Sequence, residues 1–196
     1  YQAIERTEIP EGKLRKKAEE VWKKLSEYGM SNDEARQVKE IYKGNIFEDR
    51  TRGIVIMGEV IESVLDGWRL VVDAGPLAKE PLMKTKFILH DAKLHVDHMH
   101  RGPAQIYPAV RAGVFEAIKQ GASLLEPIQT HLIEVPADFM GAVTQLIGSK
   151  RGVLLDAEHK GHEVFIKTKM PVAEMIGWSN DLRSASEGRG VSSLVD

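Results

Sequence analysis

Between residues 83 and 120 the hydrophobic period of the chain changes, and the change falls on a turn dense in polar side chains. From 83 to 97 apolar residues alternate, as on a strand: Thr85, Phe87 and Leu89 share one parity, and Ala92, Leu94 and Val96 the other. The slip of one position around His90-Asp91 is what a β-bulge produces. From Ala104 the spacing is helical, with Ile106, Val110, Gly113, Val114, Ala117 and Ile118 in one stripe. Between the two patterns lies Leu94-His95-Val96-Asp97-His98-Met99-His100-Arg101-Gly102-Pro103-Ala104-Gln105. As a single strand, 83 to 97 would span roughly 45 Å at about 3.3 Å per residue. The pattern therefore predicts an elongated domain that carries three histidines, an aspartate and an arginine on a turn at its far end.

The rest of the chain predicts the mount. Residues 1 to 9 read as a strand ended by Pro10. A helix follows, with Leu14, Ala18, Val21, Trp22, Leu25 and Tyr28 on one face and Lys13, Arg15, Lys16, Lys17, Lys23 and Lys24 on the other. Glu19, Glu20 and Glu27 interrupt that basic side, so it reads as a solvated face. Ser31-Asn32-Asp33-Glu34 starts a second helix, with Ala35, Val38, Ile41 and Tyr42 as its stripe. Residues 46 to 53 read as a polar connection with weak strand character. A long helix is predicted over 54 to 72, with Val60, Ile61, Val64, Leu65 and Trp68 inward and Gly75-Pro76 as its stop.

A second domain is expected from 126. It reads as a strand over 128 to 135, a helix carrying Phe139, Val143, Leu146 and Ile147, and two strands joined at Lys160-Gly161. A helix from Pro171 to about Arg183 with Met175, Ile176 and Leu182 apolar follows, then a strand from 191 to 195. The order β-α-β-β-α-β is ferredoxin-like, which by itself says nothing of function.

Composition excludes several classes. The 196 residues hold no cysteine, so disulfides, thiolate catalysis and thiolate metal sites are out, and a reducing, cytoplasmic setting is compatible. The net charge of -2 gives no global basic field, so any nucleic-acid contact would be local. No apolar run approaches a membrane span. No nucleotide-binding loop of the Gly-x-x-x-x-Gly-Lys-[Ser/Thr] type and no Gly-x-Ser-x-Gly is present. Lys150-Arg151-Gly152 and Glu187-Gly188-Arg189-Gly190 read as turns. The chain opens at Tyr1 rather than Met and reads as part of a longer protein.

Three chemistries suit the histidine turn. His95, His98 and His100 with Asp97 have metal-ligand chemistry, although no helical His-x-x-x-His spacing is present. A rigid tip with imidazoles and Arg101 can also read RNA by shape, through phosphates, 2'-hydroxyls and stacking. A plain surface turn is the third reading.

The turn resembles the domain IV tip of translation elongation factor 2 in its archaeal form, with Gly102-Pro103-Ala104 after the arginine. The likeness continues through Ile106-Tyr107-Pro108-Ala109-Val110-Arg111, Leu124-Leu125-Glu126-Pro127, Lys150-Arg151-Gly152, and Pro171-Val172-Ala173-Glu174-Met175-Ile176-Gly177 with Asp181-Leu182-Arg183-Ser184. It implies an α/β (α+β) chain: an elongated ribosomal protein S5 domain 2-like domain over 1 to 125, then a ferredoxin-like domain V over 126 to 196. It implies that His100 is converted to diphthamide and is the target of ADP-ribosylating toxins. It implies an RNA-contacting tip loop, 96 to 105, of Asp97, His98, Met99, His100, Arg101, Gly102 and Gln105, with Asp97 and Gln105 bracing the turn. The implied partners are the ribosome, the tRNA–mRNA duplex and the diphthamide-synthesis enzymes, with a monomeric, cytoplasmic protein and no membrane. GTP and magnesium belong to the whole factor; for this stretch the resemblance implies no catalytic residue, metal or cofactor. The alternative is a stand-alone two-domain binding protein with a histidine-rich metal site.

Overall fold

A computed structural model describes residues 1–14, 18–119 and 121–195, and divides the chain into two compact units, Tyr1–Leu124 and Leu125–Asp196. Arg15, Lys16 and Lys17 of the expected basic face lie outside the described residues.

The first unit is built on a four-stranded sheet with helices on both faces. Its elements are α1 (Gln2–Glu5), β1 (Gly12–Lys13), α2 (Ala18–Glu27), α3 (Asn32–Gln37), β2 (Val38–Tyr42), β3 (Asn45–Asp49), α4 (Met57–Asp73), β4 (Lys86–Leu89) and α5 (Pro103–Ile118). The sheet order is β1-β2-β3-β4, antiparallel except for the β3–β4 pair that α4 bridges. Successive residues of β3 serve opposite cores, as strand geometry requires. Ile46 joins Val21, Leu25, Ala35, Val38 and Ile41 beneath α2 and α3, whereas Phe47 joins Trp68, Phe87 and Ile106 beneath α4 and α5. Trp68 is fully buried, with Phe47, Phe87 and Tyr42 edge-on or tilted around it at 5.3, 5.8 and 6.3 Å.

Several expectations change. Residues 1 to 9 are not a strand. Ala3 and Ile4 are adjacent and both buried, which one helical turn allows and an alternating strand does not. Val38, Ile41 and Tyr42 belong to β2, not to a helix. A bulge between Val38 and Glu40 shifts the parity, so residues three apart share a buried face and imitate helical spacing. The weak strand character expected over 46 to 53 is realised as β3, which is buried rather than a polar connection. Its Asn45 bonds the Leu82 carbonyl at 2.8 Å and the Thr85 N–H at 3.1 Å, and its Glu48 is held by Arg50 at 2.7 Å. The Ser31 cap is present as a capping box with Glu34. That backbone bond from Ser31 holds the Glu34 carboxyl below its ordinary range.

The long strand over 83 to 97 is also corrected. Only Lys86–Leu89 pairs, parallel to β3, and the last rung is Arg50 N–H to the Leu89 carbonyl at 2.9 Å. Past Leu89 no strand stands opposite among the described residues, so the alternation has no ladder to join. The predicted bulge at His90-Asp91 is simply where the strand ends.

The second unit follows the predicted order: β5 (Ile128–Pro136), α6 (Met140–Ser149), β6 (Val153–Lys160), β7 (Glu163–Pro171), α7 (Trp178–Ala185) and β8 (Val191–Leu194). The sheet order β6-β7-β5-β8, all antiparallel, is the ferredoxin-like arrangement. Ile133, Val135, Val143, Ile147, Val164, Ile166, Met170, Trp178 and Leu182 form its core. Of the apolar residues expected on the last helix, Ile176 is 85% exposed. Gly177, at φ +79°, separates a 3-10 turn at Val172–Met175 from α7, so the helix starts later than Pro171.

Candidate nucleic-acid interface

The tip is a short capped turn joined to a long helix. Asp97 accepts the Met99 N–H at 3.0 Å through Oδ1 and caps a 3-10 turn, His98–His100. The turn closes with His100 N–H to the Asp97 carbonyl at 3.2 Å and Arg101 N–H to the His98 carbonyl at 3.1 Å. Gly102 is the N-cap of α5 and Pro103 its first residue, where the missing N–H costs nothing. The N–H groups of Gln105 and Ile106 both reach the Gly102 carbonyl at 3.0 Å. Ile106, Val110, Val114 and Ile118 then seat α5 on α4, while Gly113 and Ala117, expected in the same stripe, lie exposed.

The structure places the predicted residues unequally. His95, Asp97, His98, Met99 and His100 are all exposed, Val96 at 90% and Met99 at 71%. The His95 ring lies edge-on to His100, centroids 4.7 Å apart, and its Nδ1 accepts the Asp97 N–H at 3.1 Å. His98 Nδ1 stands 3.6 Å from Asp97 Oδ1. Asp97 thus braces the turn directly. Gln105 does so through its backbone, and its exposed side chain arches back so that Oε1 would lie 3.3 Å from a Cβ at Gly102.

Arg101 is the exception to the expected outward display. Its side chain is only 9% exposed and points to α4, with Nη1 3.2 Å from Glu59 Oε2. Glu59 was not among the predicted residues. Its one sequence signal is an acid in the first turn of a helix, which favours the helix N-terminus without indicating a distant arginine.

The metal reading finds no ligand set. Among the described residues no three of His, Asp and Glu gather as a metal ion requires. The Lys150-Arg151-Gly152 turn makes internal pairs instead. Arg151 grips Glu126 with two bonds at 2.6 and 3.0 Å and Glu174 with one at 2.8 Å. This holds the Glu126 carboxyl below its ordinary range. No helix among the described residues is long and apolar enough to cross a membrane.

Comparison with known proteins covers the chain in two blocks. Residues 9–122 match the family model described as Elongation factor G, domain IV, and residues 123–196 that described as Elongation factor G C-terminus. Elongation factor 2 of Nanoarchaeum equitans is 48% identical over 190 residues, which is 96% of this chain and 26% of the relative. Those of Pyrococcus furiosus and Thermococcus kodakarensis are 47% and 46% identical over 192 residues, 97% of this chain and again 26% of each relative. The chain thus spans about a quarter of the length of the curated relatives it matches. These matches agree with the expected fold, a ribosomal protein S5 domain 2-like unit followed by a ferredoxin-like one.

Proposed function

The chain belongs to the elongation factor G family through its domain IV and C-terminal regions, and from that premise we propose that it is the tip-bearing part of a ribosomal translocase of the elongation factor 2 kind. Movement of tRNA and mRNA is the work of the whole factor, in the cytoplasm, with GTP and magnesium bound elsewhere in it. Residues 1 to 125 act as domain IV and 126 to 196 as domain V, a boundary one residue from the division between the compact units. The tip loop, 96 to 105, meets the tRNA–mRNA duplex at the decoding region. Recognition there is by shape: an A-form duplex shows 2'-hydroxyls and phosphates in a shallow minor groove, and imidazole, amide and backbone groups can bond to both.

His100 is the residue that receives diphthamide and, once modified, ADP-ribose from diphtheria-type toxins. The observation that carries this is its ring, exposed on a turn whose backbone is closed by Asp97 and His98. A modifying enzyme needs such a ring, and the modification adds positive charge and reach toward RNA. Asp97, His98, Met99, Gly102 and Gln105 form the rest of the contact surface.

In the full-length factor, His100→Ala abolishes toxin labelling and weakens translocation fidelity while GTP binding stays intact. Continued labelling of that variant overturns the assignment.

A further inference from the structure

Arg101 follows six exposed residues, yet its own side chain is 9% exposed. Its Nε and Nη1 are buried with no hydrogen-bond partner, and the nearest countercharge is Glu59 Oε2, 3.2 Å from Nη1 but out of line for a hydrogen bond. A guanidinium that reads phosphate holds its fork toward solvent, where the ligand arrives. This one lies against the first turn of α4. Removing an arginine from water with donors unpaired is costly, and a carboxylate close by is what makes the position tenable. Glu59 is itself well placed, since an acid in the first turn of a helix is favoured by the helix dipole.

Arg101 also joins two pieces of backbone. Its N–H closes the His98–His100 turn, and the residue after it caps α5. Fixing its side chain therefore fixes the direction in which that turn leaves α5. We infer that Arg101 is the internal anchor of the tip, with Glu59 as its counterpart, so that the start of α4 sets how His100 is presented. The inference deepens the functional reading above and rests on it only for the consequence that presentation governs access to His100. The anchor itself is tested without toxin or modifying enzyme.

The test is amide hydrogen exchange on this chain with Glu59→Gln, Arg101→Met, both together, and the exchanged pair Glu59→Arg with Arg101→Glu. Arg101→Met keeps the apolar stem, and Glu59 is 63% exposed, so the fold survives either change. Each single change speeds exchange at Met99, His100 and Arg101 by about 5- to 30-fold and leaves the amides around Trp68 unchanged. The double variant exchanges no faster than the singles, because one interaction is removed in each. The exchanged pair recovers protection. In the full-length factor, the salt dependence of ribosome binding keeps its slope in Arg101→Met, where loss of a phosphate contact would lower it by about one. Unchanged tip exchange in Glu59→Gln, additive effects in the double variant, or a lowered salt slope each overturn the anchor and leave the assignment of His100 standing.

Discussion

His100 and Arg101 are neighbours in the chain, and their side chains meet opposite environments. The exposure of the imidazole was legible in the sequence, because a polar cluster at a change of hydrophobic period falls on a surface turn. The burial of the arginine was not, because its counterpart Glu59 lies on another element and charge alone does not say which carboxylate an arginine will find. His131 on β5 is another residue whose environment was hidden. It is 8% exposed, with Nδ1 3.3 Å from Ser192 Oγ and Nε2 3.4 Å from Gln129 Oε1. Burial lowers its pKa from the ordinary 6.5, so the folded state favours the neutral ring. The stability it contributes is complete above about pH 6.5 and is lost as pH falls through that value toward the lower folded pKa. His131→Gln therefore lessens the fall in stability of the second unit as pH drops below about 6.5, measured by urea midpoints. An unchanged slope contradicts this.

At the scale of elements, periodicity succeeded where one face meets one core and failed where pairing decides. α4 and β7 are legible because their buried apolar positions recur regularly. β2 imitates helical spacing because a bulge puts Val38 and Ile41 on one side. Residues 90 to 97 alternate like a strand without being one, because alternation shows readiness to pair, not the presence of a partner. The contact that seats the tip helix is also invisible in spacing. Gly67 of α4 lies where a Cβ would stand 3.2 Å from Tyr107 Cδ1, 3.3 Å from its Cα and 3.4 Å from Val110 Cβ. A larger residue must push α5 away. Gly67→Leu destabilises the first unit by about 1–3 kcal/mol, read by chemical denaturation. A wild-type midpoint would show that the two helices are not in close contact there.

At the scale of the molecule, each unit has its own sheet and its own buried core, and both belong to one family of translation factors. The ferredoxin-like unit was legible from element order alone. In the first unit the sequence pattern indicates β4 and, weakly, β3, whereas β1, β2 and the sheet order needed the pairings. The candidate site was half legible: the turn, its exposure and the cap at Asp97 follow from local chemistry, whereas the inward arginine and the His95–His100 contact follow from folding. The central claim is that His100, rather than His95 or His98, is the residue the tip exists to present. The most direct measurement is the mass of the peptides spanning residues 94 to 111, from protein expressed in a host that carries the diphthamide pathway. The account predicts an added mass that fragmentation localises to His100. An unmodified tip, or the same mass on His95 or His98, contradicts it.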